Sequence, residues 1–121
     1  MLQIALALLM AFPSAAAAPA KKETAAVLRL SARAEKHVRE SHFTGGKKSR
    51  GKSLFLPDTD LSELVKKAEA SKPRRQKNGR DKRVAAGHSV IGTSGRTGAP
   101  LKTYVVIAEP DGGVVTMYPG R

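Results

Sequence analysis

The residues of this chain that could move a proton or hold a phosphate are few, which narrows the chemistry open to it. Its imidazoles are His37, His42 and His88, and it has no cysteine. A thiol nucleophile, a zinc–thiolate centre and a disulfide framework are therefore excluded. It also lacks a Walker-type phosphate loop, a His-Glu-x-x-His pair and a Gly-x-Ser-x-Gly elbow, so the common nucleotide, zinc-protease and hydrolase signatures are missing. What remains is proton transfer by histidine amid many cations. His37 has Arg33 and Ser41 one turn away on its own helical face. Cationic neighbours disfavour a charged imidazole, which leaves it fit to act as a base. His42 follows beside Phe43, where it could face the same cleft. The two histidines are five apart and no carboxylate is placed to complete a site with them, so neither a metal nor a cofactor is expected. Thr116 would present a hydroxyl beside Tyr118, on a strand face shared with Val114 and opposite Val115 and Met117. Read without reference to any family, surface or helix-end positions account for the histidines equally well, and ordinary strand propensity is the commoner reason for a threonine such as Thr116.

Charge supplies the second observation. All 22 Lys and Arg and all 10 Asp and Glu follow Ala20, giving a formal net charge of +12. A surface so basic points to a polyanionic partner. The uncharged start reads as a secretion signal: Leu2 to Phe12 is too short to span a bilayer, Pro13 and Ser14 break it, and Ala18 and Ala20 satisfy a small-x-small cleavage rule. The expected division is a signal peptide over 1–20 and one domain over 21–121, secreted and without stable membrane insertion. With three Phe, two Tyr and no Trp, the core must be built chiefly from Leu, Val, Ile and Ala.

The elements that must position these residues follow from periodicity and punctuation. Val27, Leu28, Leu30, Ala34 and Val38 predict an amphipathic helix from Thr24 to about Ser41. A basic, glycine-punctuated loop over 44–52 leads into Leu54-Phe55-Leu56, a possible edge strand ended by Pro57. Asp60 and Glu63 have cap spacing ahead of Leu61, Leu64, Val65 and Ala68, predicting a second helix that stops near Ser71. Lys72 to Arg83 holds seven basic residues and one acid, Asp81; it reads as a solvated loop or linker turning at Asn78-Gly79. Tyr104 to Ala108, the turn Glu109-Pro110-Asp111-Gly112-Gly113, and Val114 to Tyr118 predict a β-hairpin. The fold expected is α+β, with two N-terminal helices packed on a small antiparallel β-sheet.

Several of these pieces fall in a familiar order: Lys36-His37 on a first helix, the Asp60 to Ala70 helix, Arg80 to Arg83, Val105-Val106-Ile107, Asp111-Gly112-Gly113 and Thr116-Met117-Tyr118-Pro119. That order resembles the C-terminal ribonuclease domain of colicin D, and more broadly the barnase, EndoU, colicin and RelE-like class of toxin nucleases. Lys36-His37-Val38 and His42-Phe43 followed by Lys52-Ser53-Leu54-Phe55 is also similar to the nuclease tips of bacterial polymorphic toxins. The resemblance covers most of the chain after the leader through short, diverged motifs. It implies a catalytic His37, a neighbouring Lys36 and a terminal-strand hydroxyl from Thr116; beside them, His42 is held in reserve for the complementary acid role. Lys52 and Ser53 become substrate-side candidates. The leader departs from the pattern, since such tips ride on larger delivery proteins.

The resulting expectation is a secreted, metal-independent endoribonuclease toxin whose substrate RNA, a tRNA among the candidates, supplies its own 2′-hydroxyl as nucleophile. Arg74, Arg75, Lys77, Arg80 and Arg83 would bind phosphate and Tyr118 would line the substrate cleft; an acidic immunity protein would be the second partner. Two other classes stay open: a non-catalytic binder of nucleic acid or anionic surfaces, and a cationic antimicrobial or envelope-binding protein. The scarcity of aromatics and the lack of a strongly basic amphipathic helix with a bulky apolar face count against the latter.

Overall fold

The computed structural model describes residues 27–121. The signal-peptide reading over 1–20, and the part of the first helix expected before residue 27, lie outside the described residues. Among the described residues, two helices, α1 (Ala32–His42) and α2 (Leu61–Ala68), accompany seven strands: β1 (Leu54–Phe55), β2 (Arg74–Arg75), β3 (Asp81–Ala86), β4 (Gly92–Thr93), β5 (Pro100–Leu101), β6 (Thr103–Ala108) and β7 (Val114–Pro119). The α+β class is as expected. The expected single sheet is instead two antiparallel ones, a small β1-β4-β5 and a larger β2-β3-β6-β7; β1 falls within the possible edge strand read at Leu54-Phe55-Leu56, ahead of α2.

Helix α1 begins later than the apolar periodicity predicts. The Ser31 hydroxyl caps it, accepting from Ala34 N at 3.1 Å. Before Ser31 the backbone is already engaged elsewhere: Arg29 N donates to Gly112 O at 2.8 Å, and Val114 N donates to Arg29 O at 2.9 Å. This bridge to the β6–β7 loop holds the segment extended and sends Leu28 into the core. Gly112 is what lets the chain approach so closely. Its φ is +100°, and a Cβ there would lie 2.2 Å from Val27 O.

Helix α2 starts where the cap signal places it, with the Asp60 carboxylate accepting from Glu63 N at 3.3 Å. Its buried stripe of Leu61, Leu64, Val65 and Ala68 joins Val38 of α1 and Tyr104, Val106 and Met117 of the sheet in one core. The Tyr104 hydroxyl donates to Leu64 O at 2.6 Å, fixing α2 to β6. Burial pushes the Tyr104 phenol up to about 12.

The basic stretch 72–83 is a β-hairpin rather than a solvated linker. Arg74 pairs with Lys82 and Arg75 with Asp81. The Arg75 Nε–Asp81 Oδ1 contact of 2.7 Å, the Asn78 side-chain Oδ1 accepting from Arg80 N at 2.9 Å, and a Gly79 φ of +87° hold the turn.

Candidate functional site

Alternation and register decide which residues share a surface. Tyr104, Val106, Val114 and Met117 face the helices and the core. The opposite face is laid out in two rows: Lys82, Ile107 and Thr116 are direct partners across β3, β6 and β7, and so are Val84, Val105 and Tyr118. One register irregularity shapes this surface. Ile107 pairs with Thr116 but Ala108 pairs with Val114, so Val115 is an extra residue. That bulge corrects the simple alternation expected from sequence: Val114 joins Met117 on the core side, and Thr116 turns to the other face with Tyr118.

Strand β7 is the edge of its sheet, and side chains of α1 meet its outward face there. His37 Nε2 is 3.1 Å from Thr116 Oγ1, across a separation of 79 residues in sequence. The rings of His37 and His42 are edge-on with centroids 6.0 Å apart, and the His42 ring is 5.7 Å from that of Tyr118. His42 Nδ1 donates to Ser53 O at 3.5 Å, which leaves Nε2 carrying the lone pair. Burial, followed by the charges of Lys52 and His37, lowers the His42 pKa below its ordinary 6.5, although the hydrogen bond to Ser53 pulls the other way. A neutral imidazole with a free lone pair can accept a proton near neutral pH.

The depressed value has a consequence for stability. The unfolded chain takes up a proton on His42 before the folded chain does, so folding is unaffected well above pH 6.5 and weakens as the pH falls through and below that value. Denaturant titrations at pH 7.5 and pH 5 should therefore show a smaller acid loss in His42→Gln than in the parent. Equal losses would contradict the assignment.

Of the residues expected from sequence, His37, His42, Thr116 and Tyr118 meet here, with Lys52 and Ser53 beside His42. The Ser53 hydroxyl is engaged with Gly95 N at 3.1 Å. Arg80 lines the same groove as His37, a space of about 530 Å³ that also takes in Arg29 and Arg33, and its Nε is 3.3 Å from Glu109 Oε2. Lys36 is not brought in. It is exposed and lies about 100° round the helix from His37, away from the buried stripe of Ala34, Val38 and Ser41. Arg75 is tied to Asp81, and Lys77 is exposed in the turn between β2 and β3.

Arg83, expected at the substrate, is instead 5% exposed. It pairs with Val106 and so points to the helix side, where its Nε and Nη1 lack hydrogen-bond partners. Its neighbour Lys82 takes the outward position, a cation missed at the sequence level because only strand pairing reveals it. Arg33 lines the site too; its signal was the helical spacing of four from His37.

Among the described residues no group of three or more His, Asp or Glu is gathered to hold a metal ion, and no helix is long and apolar enough to cross a membrane. Comparison of the chain with protein-family models, with curated proteins and with solved structures finds no match in any of the three.

Proposed function

We propose that this protein is a metal-independent endoribonuclease acting through the two imidazoles and the terminal-strand hydroxyl. The observation that carries the reading is the meeting of His37 with Thr116 at 3.1 Å and with the His42 ring at 6.0 Å, beside a groove lined by Arg29, Arg33 and Arg80, of which Arg29 is paired with Asp111 and Arg80 with Glu109. Two imidazoles at this separation can flank a single phosphodiester. His42, held neutral, takes the proton from the substrate 2′-hydroxyl as that oxygen bonds to phosphorus; this is the base role, in place of the reserve acid role expected for it from the sequence. The bond from phosphorus to the 5′-oxygen breaks, and His37, which enters the step as an imidazolium and so acts as the acid rather than the base, gives its proton to the leaving oxygen. The products are a 2′,3′-cyclic phosphate and a 5′-hydroxyl. Thr116 orients His37 or a non-bridging oxygen, while Lys52, Arg33 and Arg80 balance the charge that builds on phosphorus. Lys36 has no part in this scheme. Because the RNA supplies the nucleophile and the protein supplies base, acid and cations, no step requires a metal.

Secretion as a toxin, and an acidic immunity protein that covers the basic cleft, belong to the same proposal. The competing reading is a non-catalytic RNA binder, which the net charge of +12 alone would support. Incubating the purified protein with labelled RNA in EDTA separates the two. The proposal expects progressive cleavage; bound but intact RNA would favour the binder.

A further inference from the structure

The far side of the sheet from the histidines is also built for phosphate. Crossing the strands from the site, direct pairing links Thr116 to Ile107, Ile107 to Lys82, and Lys82 to Arg74. At the ordinary strand spacing, Lys82 stands about 10 Å and Arg74 about 14 Å from Thr116. Both cations border a groove of about 490 Å³ lined by Lys72, Arg74, Lys82, Val84 and Arg121, four cationic side chains and no acidic one. Alongside runs the second row, in which Tyr118 pairs with Val105 and Val105 with Val84. Val84 is 42% exposed, an apolar side chain open to solvent amid cations. One row thus offers charge; the parallel row offers the Tyr118 ring at one end and the exposed Val84 at the other, with Val105 buried between them as Ile107 is buried between Thr116 and Lys82.

Resting on the ribonuclease reading, the geometry points to a second substrate subsite: a single RNA strand crosses the sheet at right angles to β7, β6 and β3. Its cleaved phosphodiester lies at His37 and Thr116, a neighbouring phosphate of the same strand lies on Lys82 and Arg74, and an unpaired base rests on Tyr118 and Val84. The substrate class is therefore an unpaired stretch of several nucleotides. A dinucleotide is too short to reach Lys82. A duplex would hide its base faces within its own stack and leave the apolar row unused.

The test uses the full protein and the double variant Arg74→Ala/Lys82→Ala, with two measurements. In the first, cleavage of a dinucleoside monophosphate is compared with that of an unstructured RNA hexamer. The wild type should favour the hexamer by on the order of tenfold in kcat/KM, and the variant should lose that preference. No preference in the wild type, or equal slowing on both substrates, overturns the subsite. In the second, binding of a 2′-O-methyl hexamer is followed against salt, a readout that needs no catalysis. The variant's salt slope should fall by about 1.4, at about 0.7 for each lost phosphate contact. If the wild type cuts no RNA yet the slope falls so, the ribonuclease reading fails and the cationic row stands. An unchanged slope removes the row whatever the catalytic result.

Discussion

Replacing His37 with alanine should lower RNA cleavage under single-turnover conditions by roughly two to four orders of magnitude, the usual worth of a positioned acid or base. RNA affinity should scarcely change, because an imidazole adds little to phosphate binding beside the many lysines and arginines of this surface. The side chain is exposed on α1 and flanks rather than fills the core stripe of Ala34, Val38 and Ser41, so circular dichroism of the variant should match the parent. Thr116→Val, close in shape, should slow cleavage less, since it removes only the 3.1 Å contact that orients His37. Parental rates in both variants, with the fold intact, would remove the histidine–threonine pair from the reaction and advance the binder reading.

A second large effect is expected from the substrate. The proposed nucleophile belongs to RNA, so a 2′-O-methyl group or a deoxyribose at the cleaved position should abolish cleavage at that bond. No protein group in the scheme attacks phosphorus, and no water does. Affinity should persist, because charge contacts to phosphate do not depend on the 2′-oxygen. Gel analysis of an RNA strand with one modified linkage reads this directly. Cutting at the modified linkage would require a different nucleophile.

Sequence legibility varied with how local the determining interactions are. The β6–β7 hairpin and α2 could be read because their signals are local: β-branched runs around a Pro-Asp-Gly-Gly turn, and Asp60 capping a stripe of Leu and Val. Leu28 and Leu30 misled because their helical spacing says nothing of the hydrogen bonds Arg29 makes with Gly112 and Val114, more than eighty residues away. Alternation along β7 failed at Val115 because a bulge depends on the partner strand. For the basic stretch 72–83, charge suggested solvation, whereas pairing with β6 turned Lys82 outward and Arg83 inward. His37 and His42 could be picked out by type, yet their meeting with Thr116 is a tertiary fact that no local pattern contains.

The central claim is a transesterification by two imidazoles, and the ends of the cleaved RNA record it. Mass spectrometry of fragments produced by the purified protein in EDTA should find a 2′,3′-cyclic phosphate on one side of each cut and a 5′-hydroxyl on the other. Intact RNA, or fragments with a 3′-hydroxyl and a 5′-phosphate, would contradict the account.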